Sequence, residues 1–299
     1  MHRRLIVLAV VSLTWLTTSA PAQQPRPASS SLPVANHSQA DCSGFISENT
    51  IPRNLVVVGG DDDSFRSAVR QWVEGDSVFI GQRKGADIAV GSEYSVVRPA
   101  DDLFLAMHYP EERAGIRKSG KPYENIGRVK VIPLEAGMMV GEVASASGNV
   151  KLHHVEPASA VAKVTFSCGS IVPGDLLIPY QPSPIPEYTV SKPLDPFVPL
   201  DSNKQHGRIT ATHNNSGFVG DETIVYLNLG EKDGAKPGER FRIYKRPPPQ
   251  PGYAIFITQT EPTETIGEAV VISVQPKSCT AMVVSSYRAV AAGDYVEAE

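Results

Sequence analysis

The sequence predicts a mainly β protein, with two tandem small β-barrel-like domains joined by a Pro-rich linker and very little helix. Three observations support this fold class. The chain has 25 prolines and 24 glycines, and they stand between short apolar runs, as turns stand between strands. Two stretches of the first half recur in the second half. Only a few short segments have their apolar residues at helical spacing.

The internal repeat consists of two ungapped blocks. Residues 155–180 align with 274–299, with eight of 26 positions identical, and residues 78–98 align with 225–245 mainly by residue type. The offset between the copies falls from 147 to 119, so the first copy carries 28 extra residues within 99–154. Each copy therefore contains the same strands, and the first copy has an insertion.

The strands are predicted where β-branched and aromatic residues cluster, as in 225–227 and 241–244. A Gly-Asp pair precedes the last strand of each copy, at Gly174-Asp175 and Gly293-Asp294. Glycine supplies a positive φ and aspartate bonds the local backbone, so a tight turn is favoured over a catalytic role for these aspartates. A similar pair precedes the first block of each copy, at Gly75-Asp76 and Gly220-Asp221.

Helix is expected in at most two short segments. Residues 63–72 place Phe65, Ala68 and Trp72 at helical spacing, although a strand edge is the alternative. Residues 110–117 could form a second short helix that has Pro110 in its first turn.

Residues 1–22 are typical of a cleavable signal peptide. Arg3 and Arg4 precede an apolar run over 5–16, and Ala20-Pro21-Ala22 supplies a cleavage site before Gln23. The apolar run is shorter than the roughly 20 residues that a bilayer crossing needs. We therefore expect a periplasmic or secreted protein with no transmembrane segment in the mature chain.

Four further units follow from composition. Residues 23–41 are polar and Pro/Ser-rich, which predicts a disordered spacer. The first β-rich repeat domain is expected over 42–178 and the second over 206–299. Seven prolines in 179–205 predict an extended linker, because proline removes a strand's hydrogen-bond donor.

The charge balance argues against nucleic acid as a partner. Without residues 1–22 the chain has 26 Lys and Arg against 32 Asp and Glu, a net charge of −6. Proteins that bind nucleic acid without sequence preference carry a basic face instead.

The three cysteines are Cys42, Cys168 and Cys279. Export permits a disulfide, and an odd count leaves one thiol over. We favour a Cys42–Cys168 pair because both lie in the first repeat, and we expect Cys279 to be a small core residue. The other pairings stay open.

No catalytic, cofactor or metal site is predicted. Residues 115–121 match most of a phosphate-binding loop, but Pro122 stands where Ser or Thr should bind magnesium. His153-His154 are adjacent, so on a strand they would point to opposite faces. We therefore do not expect an enzyme.

A binding surface could be formed by basic and aromatic residues in two predicted surface loops. The candidates are Arg113, Arg117, Lys118, Lys121, Tyr253 and Phe256. Tyr180 is a further possible aromatic platform, although core positions are favoured for the aromatic residues.

Four segments together resemble those of known families. They are 41–46 (DCSGFI), 58–60 (VGG), 126–129 (IGRV) and 293–297 (GDYVE). The repeated block resembles the C-terminal β-barrel domain of flagellar assembly protein T. It also resembles secreted bacterial proteins of unassigned function that are often labelled LysM-containing or peptidoglycan-binding. The resemblance implies an envelope-associated binding or assembly role and carries over no catalytic residue.

The sequence thus predicts an exported, non-enzymatic protein of the cell envelope that contacts other envelope proteins. A module that binds peptidoglycan or another carbohydrate is the alternative, and a hydrolase is a remote one. A glycan site would favour an exposed Trp or Tyr, yet Trp72 is the one tryptophan after residue 22. The oligomeric state is left open.

Overall fold

The structure is a computed structural model, and it describes residues 31–60, 71–82, 88–100, 120–133, 158–182, 184–190, 195–245 and 263–299. Within these ranges the regular structure is almost entirely β. The strands are β1 (Ser31–Pro33), β2 (Phe45–Ser47), β3 (Leu55–Gly60), β4 (Ser77–Gln82), β5 (Glu93–Pro99), β6 (Lys121–Ile132), β7 (Ala158–Ser167), β8 (Leu176–Pro179), β9 (Glu187–Thr189), β10 (His206–Thr212), β11 (Ile224–Leu227), β12 (Arg240–Lys245), β13 (Glu264–Val274), β14 (Cys279–Ser286) and β15 (Tyr295–Ala298). One α-helix, α1 (His37–Asp41), and two 3₁₀ turns, His213–Asn215 and Glu231–Asp233, complete the described elements.

The strands close into two six-stranded antiparallel barrels. The first has the circular order β6-β5-β8-β3-β4-β7, with β2 added beside β6. The second has the order β13-β12-β15-β10-β11-β14. The strands β1 and β9 form a separate two-stranded ribbon. The prediction of a mainly β chain with two tandem barrels is confirmed.

The two barrels are copies of one topology. The long strand after the first repeat block is β6 in the first barrel and β13 in the second. If both rings are followed from this strand, β6 corresponds to β13, β5 to β12, and the other strands correspond in the same order. Both copies also shift register at the same place, between Val96 and Val97 and between Ile243 and Tyr244. Most of the extra length of the first copy lies in 133–157, where the second copy has only 275–278 between β13 and β14.

Each barrel interior is filled by its own apolar core. Val78, Ile80 and Val96 are fully buried in the first barrel, as are Phe241 and Ile243 in the second. Alternate residues of each strand point into the barrel. An alternation of buried and more exposed residues along the chain is therefore typical of barrel strands. Cys279 lies in the second core as expected, and burial raises the pKa of its thiol.

The Gly-Asp pairs before β8 and β15 form the predicted turns. Gly174 and Gly293 both have φ of 97°. The Asp175 carboxylate accepts a hydrogen bond from the Val172 N–H at 2.9 Å, and Asp294 accepts one from Ala291 N–H at 2.8 Å. These contacts support the structural assignment of both aspartates.

The two Gly-Asp pairs that precede the first repeat blocks, Gly75-Asp76 and Gly220-Asp221, do not occupy equivalent positions in the two barrels. Gly75, with φ of 96°, donates its N–H to the carbonyl of Val164, and Glu222 makes the matching bond to Val283. Glu222 therefore occupies the place of Gly75, with φ of 59°. The offset of 147 between the first repeat blocks places Glu222 opposite Gly75, and this turn accepts a non-glycine residue in the left-handed region.

We expect Gly75→Ala to lower the free energy of unfolding by about 1 kcal/mol or more, since alanine is strained at positive φ. A Cβ atom at this position meets no neighbour within 4 Å, so the cost is a backbone cost. Gly169→Ala is the matched control, because its added Cβ also meets nothing within 4 Å and its φ is not positive. Urea denaturation of both variants measures the difference; equal stabilities would contradict the expectation.

The segment predicted as a disordered spacer is ordered from residue 31. Strand β1 pairs with β9, and Val34 and Ala35 are buried. Helix α1 begins with a capping box, in which Asn36 and Gln39 exchange side-chain and backbone hydrogen bonds. For residues 31–41 the prediction is wrong, because the apolar side chains of Val34 and Ala35 in this polar segment are buried against the second barrel. Residues 23–30 lie outside the described ranges, as do residues 1–22.

Neither predicted helix can be compared with the structure along its length. Residues 63–70 and 110–117 lie outside the described ranges. Trp72 is described, and it forms an isolated antiparallel bridge with Ile171 rather than ending a helix. At this residue the structure supports the strand-edge alternative.

Residues 195–199 of the Pro-rich segment contact the outside of the second barrel. The Thr265 N–H donates to the Pro196 carbonyl at 2.8 Å. Arg242 donates from its two terminal nitrogens to the carbonyls of Val198 and Pro199, both at 2.9 Å. The linker is therefore fixed to the barrel through its carbonyl groups, which proline leaves free.

Candidate functional site

Residues 34–51, here called the strap, pass across the outer faces of both barrels. The strap contributes Val34, Ala35 and Ile46 to an apolar cluster on the second barrel. The barrel side of this cluster is formed by outward-facing residues of four strands: Ala211, Ile224, Tyr226, Val270, Ile272 and Met282. The strap also contributes Ile51 and Phe45 to a smaller cluster on the first barrel. It therefore holds the two barrels together.

Three side-chain hydroxyls of the second barrel donate hydrogen bonds to backbone carbonyls of the strap. Tyr226 donates to the Ser43 carbonyl at 2.7 Å, Thr280 to Gly44 at 3.1 Å and Ser278 to Ile46 at 3.1 Å. The three carbonyls lie within β2 or in the two residues before it. Burial of these carbonyls without partners would be costly, so the hydroxyls fix the strap's position.

The end of the strap is held by charge. Glu48 lies 3.2 Å from the Lys277 ammonium and 3.3 Å from that of Lys232. Desolvation raises the pKa of Glu48, but hydrogen bonds from Lys277 and Lys232 outweigh it, so the pKa is lowered. The Glu48 carboxylate of the strap thus forms ion pairs with two lysines on the surface of the second barrel.

A disulfide fixes the strap to the first barrel. It joins Cys42 to Cys168, the pair that the sequence favoured, with Cα atoms 5.6 Å apart and 126 positions between them in the chain. Beside it, Asp41 lies 3.2 Å from the Arg128 guanidinium, and Asn125 donates to the Asp41 carbonyl. Helix α1 is therefore held to the first barrel both covalently and by an ion pair.

A cleft of about 390 Å³ lies between the strap and the two barrels. Its floor is the outer face of β5, β6 and β8, and its walls are strap residues and the end of β13. The lining residues are Ala40, Asp41, Ser43, Gly44, Phe45, Ser95, Val97, Asn125, Ile178, Pro179, Tyr180, Gln181, Ile272, Ser273 and Gln275. Its size is within the range of ligand pockets.

The cleft offers hydrogen bonds and apolar contact. Gln181 and Gln275 line the cleft, and no side-chain hydrogen bond joins either of them to another described residue. Asp41, the one carboxylate of the lining, is paired with Arg128. The arrangement suits an uncharged ligand that has amide or hydroxyl groups. Among the described residues, no group of three or more His, Cys, Asp or Glu is placed to hold a metal ion.

His213 lies at the seam between the barrels. Its Nδ1 atom is buried with no hydrogen-bond partner among the described residues, and the charged group that acts on it is Glu124 of the first barrel. Desolvation lowers the pKa of His213, and the charge of Glu124 only partly offsets this shift. The imidazole is therefore held in its neutral form at neutral pH.

This shift predicts a loss of stability in mild acid. A histidine whose folded pKa lies below its unfolded value contributes stability that is lost as pH falls from above 6.5 towards the folded pKa. We expect His213→Gln to flatten the dependence of stability on pH in that window. Urea denaturation between neutral and mildly acidic pH measures it, with His37→Gln as the control. Parallel curves for wild type and His213→Gln would contradict the assignment.

Most of the predicted binding surface cannot be placed. Arg113, Arg117, Lys118, Tyr253 and Phe256 lie outside the described residues. Lys121 is exposed at the start of β6, where it pairs with Ser47 of the strap.

Tyr180 reaches the cleft instead of a core. The Arg128 guanidinium lies 4.3 Å from the centre of its ring, a cation–π contact. Sequence reasoning missed the strap, although its Asn36 and Gln39 capping box is a recognisable helix start that argues against disorder.

The chain matches no protein-family model, and a search of curated proteins gives no significant match. The resemblances described from the sequence therefore remain predictions. Within the described ranges, none of the helices has the length and apolar character needed to cross a membrane.

Proposed function

We propose that this chain is an exported, non-enzymatic binding or assembly protein of the cell envelope that contacts other envelope proteins. The observation that carries the proposal is the strap, an extended segment bound by the outer face of a barrel. Both described barrel interiors are filled with apolar side chains, so ligands have to bind outside. The Cys42–Cys168 disulfide suits an oxidising compartment such as the periplasm or the cell exterior.

An exposed aromatic pair at one end of the second barrel supports contacts with proteins. Phe218 is 68% exposed and Tyr287 is 47% exposed. The loops that carry them are joined by a Val219–Val290 bridge and by the Ser286 hydroxyl, which donates to Asp221 at 2.6 Å. Exposed aromatic side chains on a fixed surface are typical of protein interfaces.

Site-specific photo-crosslinking in intact cells tests the proposal. A crosslinker placed beside Phe218 should give a discrete adduct with an envelope protein, and Phe218→Ser with Tyr287→Ser should abolish it. Val90→Ser is the matched control, since Val90 is 66% exposed on the first barrel. If the crosslinker beside Phe218 gives no adduct, or if the protein stays in the cytoplasm, the proposal is refuted.

Carbohydrate binding is the second candidate, and the cleft favours it. Tyr180, Gln181 and Gln275 line the cleft, and aromatic and amide side chains are the groups that bind sugar ring faces and hydroxyls. Co-sedimentation of residues 23–299 with peptidoglycan sacculi across a salt series tests it. Retention at high salt that is lost in Gln181→Ala with Gln275→Ala would favour the glycan; no retention would reject it. A hydrolase remains the remote alternative, since it needs a catalytic pair that the described lining lacks.

A further inference from the structure

The linker contacts one pair of residues on the outer face of the second barrel through its backbone. Arg242 on β12 and Glu297 on β15 lie opposite each other and are buried. The Arg242 guanidinium donates to the carbonyls of Val198 and Pro199, and the Asp201 N–H donates to Glu297 at 2.7 Å. At this pair, therefore, a barrel of this fold binds an extended segment of polypeptide.

The equivalent pair on the first barrel lies in the cleft. The repeat offset of 147 aligns Ser95 with Arg242. The offset of 119 aligns Ile178 with Glu297. Ser95 and Ile178 are also opposite each other on adjacent strands, and both line the cleft. The cleft is therefore at the place on the first barrel that corresponds to the linker's binding site on the second.

The strap packs on the neighbouring pair of residues and not on this one. Ile51 of the strap contacts the cluster that contains Val97 and Leu176, which are opposite each other two residues along the strands from Ser95 and Ile178. A cavity of about 390 Å³ remains beside Ser95 and Ile178. This part of the outer face of the first barrel is therefore open to a ligand.

The cleft offers neutral polar groups in place of the charged pair of the second barrel. Four such side chains line it, and no side-chain hydrogen bond joins any of them to another described residue. They are Ser95, Ser273, Gln181 and Gln275. Hydroxyls and amides donate to backbone carbonyls, and amide oxygens also accept from N–H groups. The strap is already bound in this way, since hydroxyls of the second barrel donate to its carbonyls.

We propose that the cleft binds an extended, uncharged, proline-containing segment of a partner protein, which crosses β5 and β8 as the linker crosses β12 and β15. Proline suits this site because it keeps the carbonyl that such donors bind, and because an extended proline-rich chain has little conformational freedom to lose. Phe45, Pro179 and Tyr180 supply apolar and aromatic surface. Among the described lining residues the one carboxylate, Asp41, is paired with Arg128, so an uncharged segment is favoured.

The inference rests on the proposed function and names the chemistry of one partner. The probe is a fluorescent peptide with the sequence of residues 195–201 (DPFVPLD), in which asparagine replaces both aspartates. The same peptide made of D-amino acids controls for non-specific apolar contact. Fluorescence anisotropy with residues 23–299 gives the affinity, which should change less than about twofold with salt because no charge pairs are formed. A tetrasaccharide of N-acetylglucosamine, added as a competitor, tests the glycan alternative.

The main variant is Ser95→Leu, which fills the floor of the cleft and should weaken peptide binding at least about tenfold. Ser77→Leu is the matched control, because Ser77 alternates with the core residue Val78 on β4 and lies outside the cleft lining. It should change the affinity less than about twofold.

A second variant keeps the test independent of folding. Gln181→Ala with Gln275→Ala changes no buried residue, and it should weaken binding of the peptide at least about fivefold. Urea denaturation of this variant should match that of wild type, so a loss of affinity would come from the lost amide groups.

Four results would overturn the inference. Wild type could fail to bind the peptide, the D-peptide could bind as tightly, the Ser95 and glutamine variants could bind as wild type does, or the tetrasaccharide alone could bind in a manner that Ser95→Leu abolishes, which would assign the cleft to a glycan. Phe218 lies outside the cleft lining. An adduct from the crosslinker beside Phe218 without peptide binding would therefore mean that this inference fails and the proposed function does not.

Discussion

Replacing Cys42 and Cys168 together by Ser is expected to lower the free energy of unfolding by about 3–5 kcal/mol. The disulfide closes a loop across 126 positions, and long loops give the largest loss of entropy in the unfolded chain. The loss should appear in urea denaturation under oxidising conditions. Hydrogen exchange should also show the strap amides of 40–47 opening before the barrel cores.

Reduction provides the control for this variant. Wild type under reducing conditions should approach the stability of the double variant, and the double variant should not respond to reductant. Cys279 is buried in the second core, so it should not contribute to either effect. If the double variant retained wild-type stability, the disulfide would not be what fixes the strap.

The barrels could be predicted from the sequence because their signals are local and occur twice. The Gly-Asp pairs before β8 and β15 are typical of tight turns. Because the sequence repeats, the strands predicted in one copy are also predicted, in the same order, in the other. The strand boundaries follow from alternation along each run. Glu222 shows where prediction of turns from the sequence fails, since a turn with a non-glycine residue at positive φ has no glycine to indicate it.

The strap and the cleft could not be predicted in the same way. Val34, Ala35 and Ile46 are too few to show a period, and their burial depends on a barrel face that forms far along the chain. The cleft draws its lining from five segments that meet only in the folded protein, among them those of Asp41, Tyr180 and Gln275. The disulfide could be predicted because two of the three cysteines lie in one repeat.

The outer face of the second barrel also buries an ion pair beneath the linker. Arg242 and Glu297 are opposite each other on β12 and β15, form a salt bridge, and are each 3% exposed. The Glu297 carboxylate also accepts from the Asp201 N–H at 2.7 Å. Arg242 therefore links a buried acid to the linker carbonyls that it binds.

Arg242→Met should destabilise the protein by about 3–5 kcal/mol, because Glu297 would be left buried without its cation. The double variant Arg242→Met with Glu297→Met should be more stable than the single one, since apolar side chains often replace a buried pair at little cost. Arg288→Met is the matched control. Its ion pair with Glu264 spans 2.9 Å but Arg288 is 65% exposed, so its loss should cost less than about 1 kcal/mol.

Urea denaturation of the three variants decides between two roles for Arg242. If the double variant recovers stability, the cost in the single variant came from the unpaired Glu297 charge. If it does not recover, the hydrogen bonds from Arg242 to the carbonyls of Val198 and Pro199 are what stabilise the structure. In that case limited proteolysis should cut the linker segment 195–205 in both variants and leave it intact in Arg288→Met. A single variant as stable as wild type would contradict both roles.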